Sequence, residues 1–212
     1  MYSTRIRRAA VAVAAAAVLP IALTACSDSD DKDTKAADST PSAQETKSDD
    51  AMKANEPFGP ACSSVPESGA GSFDGMAKDP VATAASNNPE LSTLVTAVKK
   101  AGLVDTLNNA KNITVFAPTN DAFAKIPKAD LDKVLNDKAQ LTKILTYHVV
   151  GEKLTPQQLE NGSFETLEKS KLTTAGSGTE YKVNDTSNVV CGNVPTANAT
   201  VYIVDTVLMP KS

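Results

Sequence analysis

Residues 114–123, Thr-Val-Phe-Ala-Pro-Thr-Asn-Asp-Ala-Phe, predict a strand that turns directly into a helix. Thr114, Val115 and Phe116 are β-branched or aromatic, as residues of a buried strand commonly are. Pro118 has no backbone N–H and should end the hydrogen-bonded ladder of that strand. We therefore expect the rest of the domain to be organised around this corner.

The helix is expected to begin immediately after the proline. Thr119 or Asn120 can cap its free backbone amides, and Asp121 places a negative charge near the positive end of the helix dipole. Phe123 then turns back toward the core. The pattern indicates a corner of the scaffold before it indicates a binding site.

Further helices are predicted on both sides of this corner. Asp79 followed by Pro80 predicts a capped short helix over residues 81–86, and residues 90–100 have the apolar spacing of a helix that stops at Gly102. The apolar positions between residues 131 and 145 do not share one helical face, so two helices are expected there.

The pattern changes to short β segments in the last third of the chain. Helices followed by strands indicate an α+β domain. The last segment is apolar on both faces at residues 201–204, which predicts a strand in the middle of the sheet. The predicted strands, separated by Gly, Asn or Ser signals, cover residues 164–167, 171–174, 181–184, 189–194 and 200–208.

The N-terminus has the form of an export signal over residues 1–25. Arg5, Arg7 and Arg8 precede an apolar run, residues 9–23, that is too short to be read as a membrane span. The adjacent pair Arg7-Arg8 also fits a twin-arginine signal, so the general and the twin-arginine export routes both stay open.

Residues 23–26, Leu-Thr-Ala-Cys, resemble the lipobox of bacterial lipoproteins, whose cysteine is acylated and becomes the mature N-terminus. The alternative is an ordinary cleavage nearby that leaves Cys26 as an unpaired thiol. Two or more acyl chains make membrane attachment durable. We expect an exported protein held in the lipid bilayer by acylated Cys26, at the outer face of the cytoplasmic membrane, with release as a second fate.

Residues 26–58 are predicted to form a disordered acidic tether, and residues 59–212 a single domain with an N-terminal arm. The tether is rich in Asp, Ser, Thr, Lys and Ala and has almost nothing that could build a core. The domain has no arginine, since none follows Arg8, and this makes nucleic acid an unexpected partner. We expect a monomer.

Two cysteines remain for the domain once Cys26 is assigned to lipid. Cys62 and Cys191 are predicted to pair, because exported cysteines are read in an oxidising compartment. Two separate buried thiols are the alternative.

Three stretches together resemble the fasciclin domain family. Residues 114–123 resemble its first signature block, Tyr147-His148 its central Tyr-His pair, and residues 200–210 its second signature block. The resemblance covers residues 73–210. With the lipobox and the two domain cysteines, the chain looks most like actinobacterial fasciclin-domain cell-surface lipoproteins, which are related to secreted mycobacterial immunogenic antigens.

The resemblance implies a seven-stranded, antiparallel-rich β-wedge with a layer of short helices on one side. It also implies cell adhesion or matrix binding without a common catalytic activity, and it makes Tyr147 a candidate for partner contact. The motif and core residues that it marks are Thr114, Phe116, Pro118, Thr119, Asn120, Asp121, Phe123, Tyr147, His148, Val201, Ile203, Asp205 and Pro210.

His148 is the only histidine, which excludes metal sites and proton relays that need two imidazoles. We expect a structural role for it, with hydrogen bonds to the corner formed by Thr119, Asn120 and Asp121. The chain has no Gly-x-Ser-x-Gly elbow and no phosphate loop. No catalytic, cofactor or metal site is therefore predicted.

Two functions remain open. The first is a membrane-anchored extracellular interaction module that binds a cell-surface, wall or matrix partner. The second is an extracellular protein that binds a small molecule, either a lipid or a cofactor, in a pocket between sheet and helices.

Overall fold

The computed structural model describes residues 56–210. The predicted signal peptide, the lipobox with Cys26 and the tether up to residue 55 lie outside the described residues. Within residues 56–210, no helix combines the length and the apolar character that crossing a bilayer requires.

Seven strands in the described region form one mixed sheet: β1 (Ile113–Pro118), β2 (Val149–Val150), β3 (Asn161–Glu165), β4 (Lys171–Ser177), β5 (Glu180–Val183), β6 (Ser187–Pro195) and β7 (Ala199–Val204). Their spatial order is β2-β1-β7-β6-β5-β4-β3. β1 and β7 are parallel and the other neighbours are antiparallel. The predicted central place of the last strand is confirmed.

The two ends of the sheet come close together. Val150 in β2 forms a β-bridge with Thr166, just beyond the end of β3, and the backbone N–H of Leu167 donates to the carbonyl oxygen of Val149 at 2.8 Å. The sheet is therefore nearly closed, and its inner face forms a core of its own.

A layer of short helices accompanies the sheet: α1 (Phe73–Met76), α2 (Val81–Ser86), α3 (Ser92–Ala101), α4 (Val104–Asn109), α5 (Asn120–Ala124), α6 (Lys128–Asn136), α7 (Lys138–Tyr147) and α8 (Pro156–Leu159). α3 ends at Gly102, whose φ of 75° is left-handed. The predicted pair of helices between residues 131 and 145 is also present, and the Asp137 side chain caps the second by accepting from the Ala139 and Gln140 amides.

The start of α2 differs from the prediction. The Asp79 carboxylate accepts a hydrogen bond from Asn87 and does not cap the helix. The Val81 amide donates instead to Asn198 Oδ1 at 2.8 Å, and the Ala82 amide donates to Asn108 Oδ1 at 3.0 Å. These caps come from residues distant in the sequence, so local spacing could not identify them.

Strand β1 ends at Pro118, the residue predicted to end it. Pro118 still lies opposite Val204 of β7, although it has no N–H to donate. Phe116, two residues earlier, directs its N–H away from β7 to the His148 carbonyl oxygen, so an N–H at position 118 would not be needed by β7. The bonding to β7 comes instead from Thr119, whose N–H donates to the Val204 carbonyl oxygen at 3.1 Å.

Two hydrophobic cores lie on opposite faces of the sheet, and β7 contributes to both. Val201 and Ile203 pack in the core beneath the helices. Tyr202 and Val204 pack in the core inside the nearly closed sheet. This alternation is the period of two that a strand imposes on its side chains, and here both faces are buried.

The N-terminal arm seals the inner core. Phe58, which the sequence pattern places in the tether, is 7% exposed and exchanges two backbone hydrogen bonds with Gly192 in β6. Its ring lies 5.3 Å from that of Tyr181. A Cβ on Gly192 would lie 2.4 Å from the Phe58 ring, so this glycine makes room for it. The folded domain therefore includes Phe58, because its ring completes an aromatic cluster.

A disulfide bond joins Cys62 to Cys191, as predicted. It connects the short 3-10 helix of the arm, Pro60–Ser64, to β6. The bond therefore fixes the arm covalently beside the strand that Phe58 already contacts.

Replacing both Cys62 and Cys191 with alanine is expected to lower the free energy of unfolding by about 2–5 kcal/mol, because the bond constrains a long loop in the unfolded chain. The two cysteines are 129 positions apart. Urea unfolding of the variant and of wild type kept under reducing conditions should give matching curves, both shifted below the oxidised protein. An unchanged midpoint would contradict the stabilising role.

Candidate functional site

His148 connects the central Tyr-His pair to the segment after β7. It lies at the C-terminal end of α7 and is 2% exposed. Its Nε2 accepts a hydrogen bond from the Leu208 backbone N–H at 2.9 Å, so the ring proton is on Nδ1, which donates to the Ile144 carbonyl oxygen at 2.8 Å. Both ring nitrogens are thus used inside the protein.

The environment of His148 favours the neutral imidazole. Burial lowers the pKa of His148 from 6.5 to about 4, although the hydrogen bond to Ile144 opposes the change. A neutral ring without a free nitrogen is poorly suited to proton transfer or metal binding in this conformation.

The expected hydrogen bonds between His148 and the corner after β1 are not formed. Thr119 Oγ1 caps α5 by accepting from the Ala122 amide at 3.1 Å. Asn120 Oδ1 accepts from the Thr93 amide at 2.9 Å and so caps the start of α3. Thr119 and Asn120 therefore cap helices, and the hydrogen bonds of His148 are made with backbone groups.

Tyr147 is not a surface contact. It is 1% exposed, its hydroxyl donates to the Lys171 carbonyl oxygen at 3.1 Å, and it accepts from Asn184 Nδ2 at 2.8 Å. Asn184 stands in the turn between β5 and β6 with a φ of 50°. The Tyr147 side chain therefore connects α7 to the far side of the sheet, and the prediction that it faces a partner is wrong.

Asp205 holds the end of β7 against β6. Its carboxylate accepts from the Asn188 backbone N–H at 2.8 Å and from Asn188 Nδ2 at 2.9 Å, and it lies 3.4 Å from Lys125 Nζ. Partial burial raises the pKa of this carboxyl, but the hydrogen bonds from Asn188 and Thr206 outweigh burial, so its pKa is lowered.

The remaining motif residues are mostly part of the two cores or of the strand framework. Thr114 Oγ1 donates to the Glu152 carbonyl oxygen and accepts from the Leu154 amide, both at 2.8 Å. Asp121 is exposed in the first turn of α5, and Pro210 is half-buried at the end of the described residues. The buried apolar members are Phe116, Phe123, Val201 and Ile203.

An apolar cavity of about 120 Å³ lies beneath the helix layer. Its lining comes from α2, α3 and α4 on one side and from β1, β6 and β7 on the other. Exposed side chains of Thr83, Ser86 and Lys99 also contribute to the lining, so the cavity reaches the surface near α2 and α3. The sequence raised a pocket between sheet and helices as one of two open functions, but it did not identify any of these residues as part of the lining.

Asn88 places a polar group in that lining. It is 2% exposed, and its Oδ1 accepts from the Glu90 amide at 3.0 Å, which caps the 3-10 turn Pro89–Leu91. Its Nδ2 has no hydrogen-bond partner within residues 56–210. A buried amide donor without a partner is uncommon in proteins.

Within residues 56–210, no group of three or more His, Cys, Asp or Glu side chains is placed to hold a metal ion.

The folding stability contributed by His148 is expected to depend on pH. Its pKa is 6.5 in the unfolded chain and about 4 in the fold, so only the unfolded chain binds the proton between these values. The contribution is therefore complete above pH 6.5 and falls by about 3 kcal/mol as the pH drops toward 4. Unfolding curves of wild type and His148→Gln across this range should show the steeper acid loss in wild type.

The same comparison removes the effect of carboxylates such as Asp205, which both proteins share. Because His148 is the only histidine, its ring resonances in an NMR titration are unambiguous. A titration midpoint near 6.5 in the folded protein would contradict the buried, neutral ring.

Comparison with known proteins identifies the domain. Residues 89–210 match the family model described as the fasciclin domain. The cell surface glycolipoprotein MPB83 of Mycobacterium bovis is 50% identical over 149 residues, which cover 68% of this chain and 66% of that relative. The chain thus spans just under two thirds of the length of that relative.

A second relative and a solved structure agree with this match. The immunogenic protein MPB70 of Mycobacterium bovis is 46% identical over 167 residues, covering 75% of this chain and 85% of that protein. A FAS1 domain pair from the insect cell adhesion molecule fasciclin I superposes with a TM-score of 0.53 at 20% identity, over 64% of this chain and 52% of that one. That likeness supports the fold. The chain belongs to the fasciclin domain family.

Proposed function

We propose that this protein is an extracellular, non-enzymatic interaction module that is held at the outer face of the cytoplasmic membrane by acylated Cys26. The observation that carries the proposal is the 50% identity to a cell surface glycolipoprotein over 149 residues, 68% of this chain. The lipobox at residues 23–26 supplies the attachment point, and release from the membrane is a second fate.

The geometry of the signature residues supports a role for the outer surface of the domain in binding. His148 and Tyr147 are buried and bonded internally, and Asn120 is used to cap α3. The partner therefore has to be recognised by exposed loops, helices or strand edges. We propose a cell-surface, wall or matrix component for it, bound by a monomer, and we do not propose nucleic acid, since the domain has no arginine.

Cys26→Ser is expected to move the protein from the membrane fraction to the culture medium, because serine cannot form the thioether that carries the lipid. Metabolic labelling with a fatty-acid analogue should mark wild type and not the variant. Ser27→Ala is the control and should stay in the membrane. Fatty-acid label on the Cys26→Ser protein, or its absence from wild type, would contradict anchoring through this residue.

The released Cys26→Ser protein also tests the interaction itself. Purified from the medium, it is expected to bind cell-envelope or matrix material saturably, and cross-linking with mass spectrometry should identify the partner. Reduced and unfolded protein serves as the control for adhesion of an unstructured chain. Absence of saturable binding to every preparation would refute the adhesion proposal.

A second candidate function is binding of a small extracellular molecule. The supporting observation is the apolar cavity of about 120 Å³ beneath α2, α3 and α4, with the unpartnered Asn88 amide in its lining. This function uses the interior of the helix layer and is compatible with adhesion through the outer surface.

A further inference from the structure

The composition of α2 explains why a cavity exists beneath the helix layer. The helix reads Val-Ala-Thr-Ala-Ala-Ser, and Ala82, Ala84 and Ala85 all belong to the cavity lining. On the opposite side, Val115 and Val201 come from the paired strands β1 and β7. Alanine methyl groups are too short to fill the space between a helix and a sheet, so the gap results directly from the sequence.

The position of α2 is fixed independently of what fills this gap. Its first two amides are held by Asn198 and Asn108, and Asn198 Nδ2 donates in turn to the carbonyl oxygens of Leu107 and Ala110 at 2.8 and 2.7 Å. These hydrogen bonds connect α2 to α4 and to the loop before β7. The helix therefore cannot simply collapse onto the sheet to close the space.

The size and lining of the cavity suit a small apolar molecule. An engineered apolar cavity of roughly 150 Å³ in another protein stays dry and binds benzene. The cavity here is of similar size at about 120 Å³, and its buried lining residues are aliphatic apart from Asn88, His148 and Phe116. An apolar occupant would restore the dispersion contacts that the lining side chains otherwise lack.

Asn88 adds a specific requirement to this general apolar fit. His148 has both ring nitrogens bonded to the backbone, whereas Asn88 Nδ2 is a buried donor without a partner in the described residues. Leaving such a donor unpaired costs free energy that a ligand oxygen would recover. Among residues 56–210, the buried part of the lining carries no charged side chain, and charged groups are poorly accommodated in such surroundings.

We propose that this cavity binds a short, uncharged aliphatic molecule or acyl group whose carbonyl oxygen accepts a hydrogen bond from Asn88 Nδ2. The inference rests on the second candidate function and is independent of adhesion. Two kinds of molecule could provide this group. One is a small free ester or ketone that fits entirely inside the cavity, and the other is a lipid that inserts one acyl chain while its remaining part stays outside the opening near Lys99.

The test compares two ligands of similar shape, methyl propyl ketone and n-pentane, by NMR titration of the purified, released Cys26→Ser protein. Both ligands are expected to bind wild type, and the hydrogen bond from Asn88 Nδ2 should show as a loss of affinity confined to the ketone when that donor is removed. Asn88→Ser keeps a capping oxygen for the Glu90 amide and removes the NH₂ group, so it should weaken the ketone about tenfold and leave pentane unchanged. Asn109→Ser, an exposed change on α4, is the matched control.

Ala84→Leu tests the cavity itself, because the larger side chain should occupy the space and abolish binding of both ligands. If this variant fails to fold, the Asn88→Ser comparison still decides. The proposal is overturned if neither ligand binds wild type with shifts around the cavity, or if Asn88→Ser weakens the ketone no more than it weakens pentane. Because the titration uses no envelope material, its failure would leave the adhesion proposal standing.

A second pair of probes distinguishes the sources of the acyl group. Methyl butyrate represents a free ester, and dibutyryl phosphatidylcholine represents a lipid-held chain. Binding of the ester alone, sensitive to Asn88→Ser, supports a free ligand. Binding of both, each sensitive to that variant, supports a cavity that also accepts lipid-held acyl groups.

Discussion

The whole structure depends on the burial of β7 on both faces. A strand with apolar side chains in both directions needs a cover on each side, and this chain supplies two different ones. The short helices cover Val201 and Ile203, and the nearly closed sheet with the Phe58 arm covers Tyr202 and Val204. Parallel pairing with β1 places the strand-to-helix corner directly beside this centre.

The polar groups of the family signatures connect the two covers. Tyr147 leaves the end of α7 and reaches the turn after β5, while the next residue, His148, holds the segment that follows β7. These two adjacent residues therefore connect the C-terminal end of α7 to two different parts of the sheet. This explains how a Tyr-His pair can mark a fold without being exposed to a partner.

The fold was accessible from the sequence wherever the deciding interactions are local. The two helices between residues 131 and 145, the stop at Gly102 and the strand at residues 201–204 that is apolar on both faces each depend on a few adjacent residues, and all three predictions are confirmed. The wrong predictions depend on distant partners. Asn198, not Asp79, caps α2, and His148 accepts a hydrogen bond from Leu208, which no spacing rule relates to it.

The candidate site was less accessible for the same reason. Resemblance to the fasciclin family marked Tyr147 as a contact residue, but burial, which is a property of the assembled fold, places it inside. The sequence shows the alanines of α2 and the capping residue Asn88. It does not show the cavity, which arises only because side chains from other elements hold α2 away from the sheet.

The arm with Phe58 and the Cys62–Cys191 bond also determines how the domain would carry mechanical load. If the protein is held by its N-terminus, tension first meets the hydrogen bond from Asn193 Nδ2 to the Glu56 carbonyl oxygen and then the two hydrogen bonds between Phe58 and Gly192. Load that reaches Cys62 then passes through the covalent bond into β6. The helices between the two cysteines lie inside a closed loop, so a pull from the membrane side is borne by the sheet before it can unravel them.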